Sequence, residues 1–448
     1  MREIEDFLYP DSPISSMEEY NFTEKIRNGF YTGIASVAIA SMAACGGGGG
    51  SSGSGENPNP PSNRAPSCEI STSYSPESGY FPLETRVQAS CSDPDGDSLD
   101  VRLLRNGQEV ATGNNQDYSE TIVENADYKV EATDPDGASG SANTSVEGRY
   151  DQIAFTSRKD DPSGDIYRGD LLVNKEGDYT GLGNITRLTN NEGNDIEPTY
   201  SHDGEEIIFT RPNDSSGEYA LHSINADTGE DQKDLTSHLS GAERMRQADE
   251  CSDGRTLGAF QTNGNTEAGI AELNKDRNIL THLYRETNDS PIGRPPEWPS
   301  WNSDCSKFAY GKNQNNSWSI FTLNDDGTNE IQLTWDSTRD QQPTFLPDGR
   351  VLFFSDRTNP GQTHMEANLW VVNSDGSNPQ EITNAEGRET DAEISPDGEW
   401  LVFSHSPGGE NPRQLYLTKF ENAGNQDEWL QLTSEGNNRH PAWRPRQE

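Results

Sequence analysis

Phe345-Leu346-Pro347-Asp348-Gly349, followed by Arg350-Val351-Leu352-Phe353-Phe354, reads as a short strand, a tight turn and a second strand. Asp suits such a turn because its carboxylate bonds its own backbone, and Gly accepts a positive φ without steric cost. The pattern recurs. Tyr200-Ser201-His202-Asp203-Gly204 leads into Glu205-Glu206-Ile207-Ile208-Phe209, and Glu250-Cys251-Ser252-Asp253-Gly254 into Arg255-Thr256-Leu257. Trp301-Asn302-Ser303-Asp304-Cys305 leads into Ser306-Lys307-Phe308, and Ile394-Ser395-Pro396-Asp397-Gly398 into Glu399-Trp400-Leu401. Subtracting successive turn aspartates (Asp203, Asp253, Asp304, Asp348, Asp397) gives spacings of 50, 51, 44 and 49 residues. A period near this size marks a repeat architecture, and a four-stranded propeller blade has this length.

A second landmark closes each repeat: Leu188-Thr189, Leu235-Thr236, Leu333-Thr334, Ile382-Thr383 and Leu432-Thr433, with Leu280-Thr281 as the candidate in the third. Strands such as Ser319-Ile320-Phe321-Thr322-Leu323 precede these landmarks, so each repeat holds about four strands. Gln152-Ile153-Ala154-Phe155-Thr156 looks like a second strand lacking a first. Pro441-Ala442-Trp443-Arg444-Pro445 looks like a first strand lacking a second. Together they make one blade, which shuts the ring and removes open sheet edges. The expected fold is all-β: a six-bladed propeller over 149–448, preceded by a small β-sandwich over 66–148, a linker over 46–65 and an export signal over 1–45.

Over about 150–448 these repeats resemble the C-terminal propeller of TolB and its relatives, whose repeat runs roughly Pro-x-Trp-Ser-Pro-Asp-Gly, an aliphatic strand, then Leu-Thr. The resemblance implies the fold more than the function, since binding proteins, lyases and peptidase front domains share the repeat. Lyases of this kind hold a metal with clustered histidines. Here His202, His222, His238, His282, His364, His405 and His440 are scattered, and no Gly-x-Ser-x-Gly elbow appears. Catalysis is therefore not expected.

The net charge is −42 and apolar content is 29%. Such acidity repels nucleic acid and anionic lipid, and no basic patch with interleaved aromatics exists, so nucleic acid is not an expected partner.

Phe30 to Ala44 is an apolar, small-residue run behind Lys25 and Arg27, with the size of a signal-peptide core and too short for a membrane span. It ends in Ser41-Met42-Ala43-Ala44-Cys45, which resembles the lipobox of bacterial lipoproteins and implies lipidation at Cys45. The alternative is an ordinary secretory signal. The acidic stretch before the run is long, and a start at Met17 would give an ordinary leader. Gly46 to Gly55 and the Pro/Asn stretch to Pro66 read as a tether with a reach on the order of 25 Å. Gly46 lacks the aspartate that retains lipoproteins at the inner membrane, so an outer-membrane position facing the periplasm or the cell surface is expected.

In an exported chain the remaining cysteines bear on disulfides. Pairing Glu69–Tyr74 with Glu84–Ser90 as a hairpin sets Cys68 opposite Cys91. Cys251 and Cys305 occupy turns of neighbouring repeats and are either bridged or two separate thiols. Short alternating strands from about Ala65 to Gly148, with the Asn106-Gly107 hairpin turn, suggest the β-sandwich. Ser92-Asp93-Pro94-Asp95-Gly96-Asp97 and Tyr128–Asp134 resemble parts of PKD domains. The central Trp-Asp-Phe-Gly-Asp-Gly signature of that family is absent, which loosens the match to Ig- or PKD-like. Asp93, Asp95 and Asp97 form a weak calcium candidate. A tight turn explains Asp-Pro-Asp-Gly without metal, and it recurs at Asp134-Pro135-Asp136-Gly137. No other cofactor is indicated.

Aligning the repeats places Glu197, Gln247, Trp298, Gln342, Asp391 and His440 at one mouth of the channel. Three positions earlier stand Asn194, Arg244, Pro295, Arg339, Arg388 and Asn437. Arg244, Arg339 and Arg388 either form a polar funnel for a peptide or an anionic saccharide, or pair with loop acids such as Glu192, Glu243 and Glu389. Trp335 follows Leu333-Thr334, where its indole either stacks on a sugar or anchors a partner, or packs beneath its loop. The functional reading is a monomeric, non-catalytic envelope lipoprotein, membrane-attached by lipid alone, binding envelope or extracellular proteins or polysaccharide at this mouth. The alternatives are a polysaccharide-acting enzyme (lyase or hydrolase) using the funnel and an adhesin acting through the sandwich.

Overall fold

The computed structural model describes residues 63–446, apart from 77, 192, 213–218, 240–243, 263–266, 288–293, 315–316, 336–338, 358–365 and 409–411. The signal run, Cys45 and the linker up to residue 62 lie outside the described residues. The chain divides into two compact units. One ends at Ser73 and takes in Val87–Asp117 and Tyr128–Thr144; the other comprises Tyr74–Arg86, Tyr118–Asp127 and Ser145–Glu448. Among the described residues the only helical turns are two short 3₁₀ pieces, Phe420–Asn422 and Gln426–Glu428.

Seven strands precede the repeats. Ser67–Ser75, Leu83–Ser92 and Gln116–Ile122 form one sheet; Gln108–Thr112, Asp100–Arg105, Ala126–Thr133 and Ser139–Val146 form another. Burial alternates along them: Leu83, Thr85, Val87, Ala89 and Cys91 point inward while their neighbours are exposed or half-buried, the period-2 signature of a sheet with one covered face. Cys68 and Cys91 are joined by a disulfide.

The repeats form six four-stranded sheets. Blades 2 to 6 begin with the strands Ile196–Tyr200, Met245–Glu250, Glu297–Trp301, Asp340–Phe345 and Arg388–Ile394. Blade 1 takes its first strand, Asn438–Trp443, from the far end of the chain and pairs it antiparallel with Asp151–Ser157. Apolar side chains of adjacent blades pack together at each of the six interfaces. Where the ends meet, Ile153, Phe155, Tyr167 and Tyr179 of blade 1 pack with Val402, Leu415 and Leu417 of blade 6, beside Trp443.

Two local devices recur around the ring, each in five of the six blades. In the turns, Asp203, Asp253, Asp304, Asp348 and Asp397 each accept the backbone N–H two residues on. The next residue takes a positive φ: Gly204 (68°), Gly254 (85°), Gly349 (84°), Gly398 (77°), and Cys305 (59°) where glycine is missing. In the Leu-Thr landmarks, buried hydroxyls of Thr189, Thr236, Thr334, Thr383 and Thr433 accept the N–H groups of Ile166, Leu221, Ile320, Leu369 and Leu415. The hydroxyl satisfies a donor that the very short fourth strands of most blades leave uncovered. Blade 3 differs from the expectation at Leu280-Thr281. Its fourth strand runs from Leu280 to Thr287 and pairs along the whole of Glu267–Leu273, so no donor needs a threonine cap, and Thr281 is exposed.

Candidate functional site

Each first strand carries a β-bulge at the same place. Its register against the second strand skips there, and one residue adopts the left-handed conformation: Glu197 (56°), Gln247 (58°), Trp298 (54°), Gln342 (54°), Asp391 (54°) and His440 (50°). A non-glycine residue there costs about 1–2 kcal/mol, so neighbours must hold it. They do so around the ring. The Glu197 N–H donates to Thr156 and the Gln247 N–H to Thr210. The Gln247 amide donates to the Glu197 carboxylate at 3.0 Å, and its carbonyl oxygen accepts the Trp298 N–H at 3.1 Å. Gln342 and Asp391 bond reciprocally, side chain to side chain at 2.5 Å and Asp391 N–H to the Gln342 oxygen at 3.0 Å. His440 Nε2 lies 3.5 Å from Asp391.

All six residues line one cavity of about 110 Å³ on the axis of the ring, together with the next residues along each strand, Pro198, Ala248, Pro299, Pro343, Ala392 and Pro441. A second, wider cavity of about 360 Å³ shares Thr199, Asp249, Ser300, Thr344 and Glu393 with the first. This tier carries two carboxyls from blades 3 and 6, on opposite sides of the ring. Burial, with Asp249 adding repulsion, pushes Glu393 up to about 8. Burial likewise pushes Asp249 up to about 7, against bonds from the Trp301 and Glu250 backbone and Ser300. Glu297, on the first strand of blade 4, is also raised to about 7 by burial, its ion pair with Arg246 notwithstanding. Glu393 thus keeps its proton at neutrality, and Asp249 and Glu297 are raised into the neutral range.

Asp391 is the opposite case. Burial resists its ionisation, but Arg439, His440 and Arg413 outweigh that and hold it well below the usual carboxylate range. Arg439 Nε stands 3.1 Å from Asp391 Oδ2, and Arg413 Nη1 stands 3.6 Å from it. Arg388 stacks over Phe354 at 5.6 Å; burial, together with Arg439 and Arg339, lowers its pKa despite the attraction of Asp391. The Arg339 backbone N–H donates to Asp356 at 2.7 Å, with the guanidinium 3.9 Å from the same carboxylate. Arg244 accepts the Gln261 N–H through its carbonyl. Of the acids weighed as arginine partners, Glu389 instead bonds His405 at 2.7 Å, while Glu192 and Glu243 lie outside the described residues. Repeat alignment missed Arg413, Arg439, Asp249 and Glu393. Arg439 shares its column with Arg246 and Glu297, and Asp249 and Glu393 share theirs with Thr199, Ser300 and Thr344. An acid in a column of small hydroxyls is the signal that was there to be read.

The remaining candidates lie elsewhere. The Trp335 indole is 64% exposed and covers Gly376 in the neighbouring turn, where any Cβ would fall 2.7 Å from the ring. Cys251 and Cys305 form a disulfide between blades 3 and 4. Asp93 accepts the N–H groups of Asp95 and Asp97, and Asp95 is tied to Arg64 at 2.8 Å. Burial, then Asp93, Asp136 and Asp134, push Asp97 up, so the two Asp-Pro-Asp-Gly loops face one another. Among the described residues the only group of three metal-type donors within 4.8 Å is Cys251, Asp253 and Cys305, and its two sulfurs are bonded to each other.

Residues 295–448 match the family model of the TolB beta propeller domain. No curated protein matches the chain. Among solved structures, TolB from Acinetobacter baumannii is 15% identical, with 72% of this chain and 80% of that one covered and a TM-score of 0.50. The putative TolB from Agrobacterium tumefaciens is 16% identical over 65% and 91%, TM-score 0.49. An oligogalacturonate lyase from Vibrio parahaemolyticus is 14% identical over 63% and 74%, TM-score 0.40. The chain carries a TolB-like β-propeller. No helix among the described residues is long and apolar enough to cross a membrane.

Proposed function

We propose that this is an exported, lipid-anchored envelope protein that performs no chemistry and binds a protein or polysaccharide partner at the channel mouth, with the strands before the propeller serving as an Ig- or PKD-like spacer. The observation that carries the binding role is the belt of bulged residues. Six costly left-handed conformations, tied to one another by side-chain bonds, keep polar side chains aimed into one cavity, and strain maintained in this way is characteristic of binding and catalytic sites. Crosslinking in whole cells through a photoreactive group at position 342 tests this: a trapped partner, lost when Arg339→Ala and Arg388→Ala are combined in a folded protein, is expected. Failure to trap anything above a probe placed on exposed Thr328 refutes it.

A second reading draws on Asp249, Glu297 and Glu393. Carboxyls protonated near neutrality are what general acid catalysis requires, which favours a polysaccharide-acting enzyme. Turnover of acidic polysaccharides that disappears in Glu393→Gln supports that reading, and no turnover by the folded protein dismisses it.

A further inference from the structure

We propose that the wider cavity, at the turn end of the channel, is a binding site for the ammonium group of a lysine side chain presented by a protein partner. It lies at the opposite end of the first strands from the belt of bulged residues, and the reading above does not use it.

The cavity holds about 360 Å³, within the range of small-ligand sites. Its wall is divided. Phe345, Leu346, Ile394 and Pro396 line the side of blades 5 and 6, and Pro445 continues that apolar face. Blades 2 to 4 add the polar groups of His202, Glu250, Ser252, Asn302 and Ser303, beside Tyr200 and Trp301. The rim is open: His202, Ser252, Ser303, Pro347 and Pro396 are exposed. The floor is the tier of Asp249 and Glu393, from opposite blades, with Thr199, Ser300 and Thr344 around them.

Asp195, Asp340 and Glu250 each hold a resident arginine: Arg211, Arg357 and Arg277. The floor acids do not. Burial, Asp249 and the Ile394 N–H act on Glu393, and no cation does among the described residues. Asp249 accepts the Trp301 N–H at 2.6 Å and is bonded by the Glu250 backbone and by Ser300. Its charged neighbour is a third acid, Glu250, itself paired with Arg277 and His202. A cation is what this floor lacks, and its pull is stronger there than in open water because the site is poorly screened.

The arrangement selects the cation. Carboxyls facing from opposite sides suit an ammonium, a compact charge with three donors, whereas the flat fork of a guanidinium suits one carboxylate met edge-on. A metal ion asks for clustered donors, and among the described residues the floor brings no three metal-type donors within 4.8 Å of one another. The apolar wall suits a methylene stem, which buries its carbons behind a charged head. From Asp249 to Cys251, or Glu393 to Ser395, the extended chain rises roughly 7 Å, about the length of lysine's four-carbon stem.

Calorimetric titration of the whole chain tests this, using the peptide acetyl-Ala-Lys-Ala-amide, its norleucine counterpart, butylammonium and calcium chloride. An ammonium favours the ionised carboxyls, so binding near neutral pH should release protons, read as a heat that varies with the ionisation enthalpy of the buffer. Lysine stays charged to about pH 10, so affinity should rise between about pH 6 and pH 9 as the floor acids ionise. Glu393→Gln and Asp249→Asn should each lose about 10- to 100-fold in affinity and shrink the proton release. Where a floor variant does not fold, Ser303→Trp on the exposed rim should block entry and give the same loss. Equal binding of the lysine and norleucine peptides, or binding indifferent to Glu393→Gln and Ser303→Trp, overturns the proposal. Tighter binding of calcium overturns the choice of an amine, and tighter binding of butylammonium than of the lysine peptide overturns the protein source. Failure here leaves the crosslink expected at position 342 untouched, since that probe sits at the other end of the channel.

Discussion

Replacing Glu393 by Gln should stabilise the protein at pH 9 and leave it unchanged at pH 4. In the folded chain burial and Asp249 hold this carboxyl at about 8, against an ordinary value of 4.5. Between those values the native state keeps a proton that the unfolded chain has released, so the carboxyl draws stability down as pH rises from about 4.5 to about 8. That difference corresponds to about 5 kcal/mol. Solvent in the channel screens the charge, which brings the expected effect to about 2–3 kcal/mol. Gln imitates the protonated form, so the variant should lack this part of the pH dependence. Asp249→Asn should do the same by a smaller margin and should ease the ionisation of Glu393 as well. Urea unfolding at pH 4, 7 and 9, with the slope against denaturant checked for constancy, measures it. A Glu393→Gln protein no more stable than its parent at pH 9 would show that burial does not raise the Glu393 carboxyl.

Other expectations follow from the same geometry. Thr334→Val strands the buried Ile320 N–H and should cost about 1–3 kcal/mol, whereas Thr328→Val on the exposed turn should stay within about 0.5 kcal/mol; equal effects in urea unfolding refute the capping role. Trp443→Ala removes an indole packed near Tyr179 at the junction of blades 1 and 6 and should cost about 3–5 kcal/mol; a loss below about 1 kcal/mol means that this junction does not hold the ring. Cys68→Ser opens a loop of 23 residues and should lower stability by about 3 kcal/mol, with a non-reducing peptide map of the parent confirming the bond.

The regular parts of this fold were legible because they are written in local chemistry. An aspartate that caps its own turn and a threonine that caps a short strand act within a few residues of themselves, so they repeat visibly at Asp203, Asp253, Asp304, Asp348 and Asp397 and at the Leu-Thr pairs. The residue before each Pro or Ala was legible for the same reason, since a bulge has a fixed place in its strand. Charge relations were not. That Asp391 gathers Arg439 from blade 1, or that Asp249 and Glu393 repel one another, depends on the distance between blades, which no single repeat records. Blade 3 shows the limit of pattern reading too: Leu280-Thr281 matches the landmark in letters, while the long strand that follows removes the need for the threonine's hydroxyl.

The first blade is made from both ends of the propeller, so order of synthesis matters to this protein. As the chain emerges, blades 2 to 6 can each be completed in turn, yet Asp151–Ser157 waits with one edge unpaired until Asn438–Trp443 is released. Throughout that interval the nascent protein offers a bare strand edge of the kind that joins to other chains. A stop codon before Asn438 would make the interval permanent, yielding five finished blades and a sticky sixth, a product expected to aggregate.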